Sequence, residues 1–128
     1  MKLLLDTHTF IWFVEGDISI PPVSQRLIEN TSNQCFISSV SLWEMTIKSS
    51  LGKLEMSIEI DDLSKILTDL KIEILALKIE HLKVLSSLPF HHRDPFDRLI
   101  IAQALFENMT LLSKDQKFKH YPVDLHWE

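Results

Sequence analysis

The sequence is poor in the residues that cross-link or loosen a chain. Its 128 residues include one cysteine and two glycines. The single cysteine, Cys35, excludes an internal disulfide, and this fits a reducing compartment. Two glycines leave no glycine-rich linker. There is also no internal repeat and no low-complexity tract, and the length suits one ordinary domain. We therefore predict a single domain over residues 1–128.

Long apolar runs are absent too. A transmembrane helix needs about 20 consecutive apolar residues, and no run in this sequence approaches that length. Residues 1–5 begin like a secretory signal, but Asp6 and His8 interrupt the apolar stretch and no small-residue cleavage site follows. We therefore expect a soluble, cytoplasmic protein that makes no membrane contact.

Basic residues are outnumbered, with 13 basic and 18 acidic residues and a net charge of −5. Affinity for nucleic acids comes largely from Lys and Arg on phosphates, so this balance disfavours a nucleic-acid binder at first sight. Five acids have positions that indicate one shared site: Asp6, Glu44, Asp94, Asp97 and Asp115. If divalent cations offset these five charges, the remaining surface is close to neutral and its basic residues can contact phosphates.

Short apolar runs alternate with amphipathic segments, which predicts an α/β domain with a mostly parallel, sandwiched sheet. The predicted strands are residues 3–5, 34–38, 72–75, 110–112 and 123–125. The predicted helices are residues 7–15, 22–30, 41–48, 61–70, 78–86 and 94–108.

The acids lie where predicted strands end or where the following helices begin. Asp6 and Asp115 follow strands, whereas Glu44, Asp94 and Asp97 lie near helix starts. The carboxyl ends of parallel strands face one crevice, where ligands bind. Carboxylates gathered there repel one another unless a cation neutralises them, and oxygen clusters suit Mg²⁺ or Mn²⁺. Four or five acids favour metal-dependent phosphodiester hydrolysis over glycoside hydrolysis by a carboxylate pair.

Each acid also has a purely local interpretation. Ser41 and Glu44 have the spacing of a capping box. Asp94 before Pro95 is a favourable helix start, with Asp97 near the positive end of the helix dipole. Asp6 and Asp115 are typical turn residues. The residue pattern alone leaves both interpretations open, namely separate caps and turns or one shared metal site.

The histidines and tryptophans give weaker signals. His8, His91 and His92 fit no zinc-ligand spacing, and we expect His91 and His92 to lie in a solvated loop at the rim of the crevice. Trp12 and Trp43 are more typical of a core or a subunit interface than of base-stacking platforms.

Some neutral and basic residues near the acids have two interpretations. Thr7 and Ser39 can bond a ligating carboxylate or only nearby backbone. The basic residues either contact phosphates or are simply solvated; they are Lys48, Lys53, Arg93, Arg98 and Lys114.

Three segments carry a family resemblance: LLLDTH at residues 3–8, SSVSLWE at residues 38–44 and HRDPFDRLIIAQA at residues 92–104. Together they resemble the PIN domain and, more narrowly, the VapC-type toxins of bacterial toxin–antitoxin pairs. LSKD at residues 112–115, followed by Phe118, is similar to the late acidic motif of the family, and Lys48 with LGKL at residues 51–54 is typical of one branch. The resemblance covers essentially the whole chain and implies a PIN-like three-layer α/β/α domain with a sheet of four to five strands.

The resemblance implies a Mg²⁺-dependent endoribonuclease, with Mn²⁺ able to substitute. It implies a homodimer held inactive by a cognate antitoxin, alone or within a larger toxin–antitoxin complex. Asp6 and Asp97 would be the principal metal ligands, and Glu44 and Asp115 would complete the site directly or through water. Asp94 would be a ligand or only a helix cap. The implied reaction is hydrolysis of RNA by a metal-activated water; the other function left open is a catalytically inactive PIN-like module that binds RNA or protein.

Overall fold

The chain alternates strands with helices, as its apolar pattern predicts. The computed structural model describes residues 1–128. The strands are β1 (Lys2–Leu5), β2 (Gln34–Ser38), β3 (Ile72–Leu75), β4 (Thr110–Leu112) and β5 (Leu125–His126). The helices are α1 (Thr7–Glu15), α2 (Pro22–Glu29), α3 (Ser39–Ser50), α4 (Leu63–Leu70), α5 (Ile79–Ser87) and α6 (Pro95–Glu107). Short 3₁₀ helices span Ile60–Asp62 and Gln116–His120.

One sheet of five strands has the order β3-β2-β1-β4-β5, and every neighbouring pair is parallel. The predicted α/β class and the predicted five-stranded sheet are confirmed, with the pairing parallel throughout. The last strand is Leu125–His126, so its predicted bounds of 123–125 are wrong. The chain runs outward from β1 to β3 on one side and then continues with β4 on the other side of β1. Leu5 pairs with both Ile37 and Leu112. Asp6 therefore emerges where the strand order reverses, which is where ligands bind in such sheets.

Alternating side chains of β1 divide the core into two layers. Leu3 and Leu5 pack on one face, together with Phe10 of α1 and Met45 of α3. Leu4 packs on the opposite face, where α5 and α6 cover the sheet. The three leucines are fully buried, as expected of a central strand covered on both faces. No helix combines the length and the apolar character that crossing a membrane requires.

The start of α6 follows its sequence signal closely. Pro95 is the first helical residue and Asp94 is the N-cap. The Asp94 carboxylate accepts hydrogen bonds from the backbone N–H groups of Phe96 and Asp97, at 2.9 and 3.1 Å. The predicted cap is confirmed, and it fixes the first turn of α6, from which Asp97 projects.

The start of α3 differs from its prediction. The N-cap is Ser38, whose Oγ accepts from the N–H of Val40 at 3.0 Å. Ser41 lies inside the helix, and its buried hydroxyl has no hydrogen-bond partner. The carboxylate of Glu44 accepts hydrogen bonds from the side chains of Thr7 and Lys48, and neither is at the start of α3. The predicted capping box is therefore wrong, because β2 ends at Ser38 and the helix begins at once.

Replacing Ser41 with alanine distinguishes the two helix starts. A serine N-cap contributes about 0.5–2 kcal/mol, so a capping role predicts a loss of that size. In the structure Ser41 is an interior residue with an unpaired hydroxyl, so we expect the free energy of unfolding to stay unchanged or rise. Ser38→Ala is the matched control and should cost about 1 kcal/mol. Urea unfolding measures both, and a clear destabilisation by Ser41→Ala would contradict the assigned cap.

Candidate active site

The carboxyl edge of the sheet brings together all five acids predicted from the sequence. Asp6 follows β1 directly, Asp115 follows β4, Glu44 lies in α3, and Asp94 and Asp97 begin α6. The charges of the other four all act on Asp97. The structure thus places these side chains in one cluster. Their assignment as metal ligands stays a prediction.

Asp6 lies at the centre of this edge and is 8% exposed. One carboxylate oxygen accepts from the N–H of Thr9 at 2.9 Å and caps α1. The other oxygen accepts a hydrogen bond from the hydroxyl of Ser113, which follows β4. Burial raises the pKa of Asp6, and the hydrogen bonds from Ser113 and Thr9 partly oppose that rise. The carboxylate is therefore held in one orientation between β1 and β4.

Glu44 is the most buried of the five acids and is 4% exposed. Thr7 Oγ1 donates to one of its oxygens at 2.6 Å, and Lys48 Nζ lies 2.5 Å from the other. The hydrogen bond to Glu44 raises the pKa of Lys48, so the ammonium group stays charged. Of the two hydroxyls considered from the sequence, only that of Thr7 bonds the cluster, because Ser39 Oγ accepts from the N–H of Leu77.

His92 belongs to the cluster, and sequence reasoning missed it. The predicted solvated position is wrong for this residue, which is 7% exposed. Its Nε2 lies 3.0 Å from Asp97 Oδ2 and 3.2 Å from Asp115 Oδ2. The N–H of Asp94 donates to His92 Nδ1 at 3.2 Å. In neutral histidine this arrangement leaves the ring hydrogen on Nε2, so His92 donates between two carboxylates.

Tyr121 explains why His92 turns inward. Its hydroxyl accepts from the N–H of His92 at 2.9 Å and donates to the carbonyl of Pro89 at 2.8 Å. These contacts tie the loop before α6 to the segment after β4. In the sequence, the only indication was that His92 lies two residues before the helix cap Asp94. That position does not tell whether the side chain is buried against the acids or exposed to solvent.

The pKa of Asp97 indicates that the cluster lacks sufficient neutralising positive charge. Burial, followed by the charges of Asp94, Glu44, Asp6 and Asp115, raises the pKa of Asp97 from 3.8 to about 8. Near neutral pH this carboxyl is therefore largely protonated in the metal-free protein. A divalent cation would favour its ionised form, because an opposite charge nearby stabilises the carboxylate.

The donor atoms suit a metal ion. Those of His92, Asp97 and Asp115 all lie within 4.8 Å of one another, and the charges of Asp6 and Glu44 also act on Asp97. Carboxylate oxygens favour Mg²⁺ and Mn²⁺, and His92 would orient two of these carboxylates through its Nε2. The residues present therefore fit the ion that the sequence predicts.

Arg98 and Trp43 lie in surroundings that differ from those predicted. Arg98 is buried, and its guanidinium donates to the carbonyls of Pro89 and Leu88 while lying 4.1 Å from the ring centroid of Phe90. Its charged group therefore holds the loop before α6 and does not face solvent. Trp43 is 58% exposed, so a position in the core is wrong for it, and its ring packs edge-on against Phe96.

Comparison with known families decides the classification. The model of the PIN domain matches residues 3–124. The chain belongs to the PIN domain family. The matched range contains all five acids as well as His92 and Ser113, and the predicted PIN-like fold is confirmed.

Solved structures share this PIN fold. VapBC2 from Rickettsia felis, bound to a DNA fragment from the promoter, is similar with a TM-score of 0.73 and 23% identity over 100% of both chains. DNA-bound VapBC from Salmonella typhimurium has a TM-score of 0.69 and 19% identity, and the match covers 98% of this chain and 97% of that chain. VapBC-1 from nontypeable Haemophilus influenzae has a TM-score of 0.62 and 19% identity, and the match covers 100% of this chain and 97% of that chain. At these identities the likeness shows the fold. No curated protein matches the sequence.

The raised pKa of Asp97 predicts how the stability of the metal-free PIN domain depends on pH. The folded state binds this proton more tightly than the unfolded state, since the pKa is about 8 in one and 3.8 in the other. The free energy of unfolding should therefore fall as pH rises from about 4 to about 8. Urea unfolding with a chelator present, between about pH 5 and about pH 8, measures the slope.

Asp97→Asn should remove most of this fall and should stabilise the metal-free protein near pH 8. Asp69→Asn, which alters an exposed carboxylate on α4, is the control and should keep the wild-type slope. Equal slopes in the Asp97→Asn and wild-type proteins would show that Asp97 is not the group responsible.

Proposed function

We propose that this PIN domain is a metal-dependent endoribonuclease and the toxin of a toxin–antitoxin pair. The observation that carries the proposal is the convergence of five carboxyl groups, among which Asp97 has a pKa of about 8. Such a cluster works against folding, because charged groups of like sign are gathered in a partly buried position. Strongly perturbed carboxyls in a crevice are typical of functional sites.

Asp6, Glu44, Asp97 and Asp115 would hold Mg²⁺ or Mn²⁺. The chemistry that the ion supplies when bound is acidification of water and stabilisation of the charge that develops on the phosphate. Asp94 caps α6 with one oxygen, which accepts two backbone N–H groups. Its second oxygen would be available to the ion, so Asp94 would be either a further ligand or only the cap of α6.

The surrounding residues orient the proposed ligands. Thr7 holds Glu44, Ser113 holds Asp6, and His92 donates between Asp97 and Asp115. Lys48 neutralises part of the charge on Glu44. Partners of this kind fix ligand geometry, and losing one typically costs about 10–100-fold in metal affinity or activity.

The solved structures support the proposed partner. Three of them are described as VapBC, and a toxin–antitoxin complex from Klebsiella pneumoniae also shares the fold, with a TM-score of 0.65 and 16% identity. We propose that this chain binds a cognate antitoxin, forms a homodimer and cuts RNA in the cytoplasm. We further propose that residues 1–128 act as one PIN domain.

Asp97→Asn tests the proposed activity. With single-stranded RNA and Mg²⁺ or Mn²⁺, the wild-type protein should cleave internally and leave 5′-phosphate and 3′-hydroxyl ends. Asp97→Asn should lower the rate by at least the roughly 10–100-fold that loss of a supporting partner costs. It should also reduce the rise in melting temperature that Mn²⁺ produces, since a ligand stabilises the state that binds it. Gel analysis with end mapping and thermal melts measure these effects.

Asp69→Asn is again the matched control and should behave as wild type in both assays. A catalytically inactive PIN-like module that binds RNA or protein predicts neither metal-dependent cleavage nor stabilisation by Mn²⁺. Equal cleavage by the Asp97→Asn and wild-type proteins would point to a contaminating nuclease and would contradict the proposed site.

A further inference from the structure

A cavity beside the acid cluster is lined by aromatic and basic groups as well as by acids. Its volume is about 330 Å³, and its lining residues are Asp6, His8, Trp12, Lys114 and Asp115. It lies between the start of α1 and the segment after β4, where the strand order reverses. The cavity therefore joins two of the proposed metal ligands to groups that play no part in metal binding.

Trp12 is held on two sides. It follows His8 by one helical turn, and the two ring centroids are 5.7 Å apart. Trp127, after β5, lies 6.0 Å away on the same measure, with its ring tilted by 50°. Trp12 is half-buried and still lines the cavity. Its ring thus packs against two neighbouring rings before any ligand arrives, and such packing lowers the entropic cost of binding against it.

Lys114 supplies a positive charge at the same place. Its Nζ lies over the ring of Trp12, 6.0 Å from the centroid. The side chain is exposed, so the ammonium group can move aside for a base and contact its phosphate. No carboxylate lies within ion-pair distance of it, whereas Lys48 is paired with Glu44. Lys114 is therefore free to contact an anion that enters the cavity.

These groups match the parts of one nucleotide. An aromatic face stacks with any base, an ammonium group contacts a phosphate, and the neighbouring acids would hold the ion that acts on the next phosphate. We propose that the cavity binds one nucleotide of single-stranded RNA beside the cleaved bond, with its base on Trp12 and its phosphate on Lys114. This inference rests on the proposed nuclease function and deepens it by naming a substrate contact.

The groove beyond Trp12 limits the site to one nucleotide. It has a volume of about 840 Å³, and the charged residues of its lining include Glu15, Asp17, Glu55 and Lys53. Three carboxylates against one lysine repel further phosphates. The RNA strand should therefore leave the protein after the nucleotide on Trp12, and no second stacking position should be found on this side.

Affinity for a labelled single-stranded RNA octamer tests the stacking contact, with Ca²⁺ in place of Mg²⁺ to hold the acids without rapid cleavage. Trp12→Leu should weaken binding about tenfold or more, as expected for a lost base stack. Trp12→Phe should restore most of the affinity because phenylalanine keeps an aromatic face. Trp43→Leu alters an exposed tryptophan that does not line the cavity, and it should bind like wild type. Fluorescence anisotropy measures all four proteins.

Octamers with one abasic position each separate stacking from a structural defect. For the wild-type protein, an abasic site at one position should lower the affinity about tenfold. For Trp12→Leu, the abasic site at that position should no longer lower the affinity, because the substitution and the abasic site remove the same contact. The inference would be overturned if Trp12→Leu lowered the affinity for all octamers equally and the abasic site still lowered the affinity about tenfold. RNA affinity unchanged by Trp12→Leu, with only antitoxin binding weakened, would assign the cavity to the protein partner and overturn it too.

Lys114→Met tests the phosphate contact. The slope of log affinity against log salt concentration should decrease in magnitude by about 0.7, the value for one phosphate on a single strand. Lys83→Met, on the exposed face of α5, is the charge-matched control and should leave the slope unchanged. Equal slopes for the Lys114→Met and wild-type proteins would overturn this half of the proposal.

The binding assays do not depend on cleavage. The wild-type protein could bind the octamer, with Trp12 and one base contributing a single shared contact, and yet never cleave with Mg²⁺ or Mn²⁺. This result would contradict the nuclease and support the nucleotide site. Wild type that cleaves but shows no coupling between Trp12 and any base would contradict only the nucleotide site. Wild type that neither binds nor cleaves would contradict both.

Discussion

Repulsion among carboxylates at the carboxyl edge of the sheet constrains everything around them. Parallel pairing of β1 with β2 and β4 delivers the acids to one edge, and the two core layers pack on both faces of the sheet behind that edge. The positive ends of α1 and α6 and the single N–H of His92 offset only part of the charge. Burial and the uncompensated charge together raise the pKa of Asp97 to about 8, so this residue keeps a proton where an isolated aspartate would not. A divalent cation is the neutraliser that this donor set fits.

Helix capping and membership of the cluster are compatible for the same carboxylate. Asp6 uses one oxygen to cap α1 and the other to accept from Ser113. Asp115 accepts from the N–H of Lys117 through Oδ1 and faces His92 with Oδ2. The cap fixes the direction of the carboxylate, so it prepares the residue for a shared site. A local cap and a shared site look like alternatives in the sequence. In the structure they use the two different oxygens of one carboxylate.

The features that could be predicted are those with local signals. The fully apolar β1 predicts a buried central strand, and Asp94 with Pro95 predicts the start of α6. The local signal failed at α3, because Ser38, Ser39 and Ser41 all suit a cap and spacing alone does not choose among them. His92 and Ser113 could not be predicted, since their partners Asp115 and Asp6 are 23 and 107 residues away in sequence. Their roles depend on how the loop before α6 and the segment after β4 fold over the site.

The most direct test of the proposed metal site counts the protons released when Mn²⁺ binds near pH 7. Calorimetry in buffers with different ionisation enthalpies gives this number. If the ion replaces the proton on Asp97, wild type should release about one proton per molecule, because ligating carboxylates must be ionised and the pKa of Asp97 is about 8 without metal. Asp97→Asn should bind the ion more weakly and release almost none. Binding without proton release, or equal release from both proteins, would contradict this account of the site.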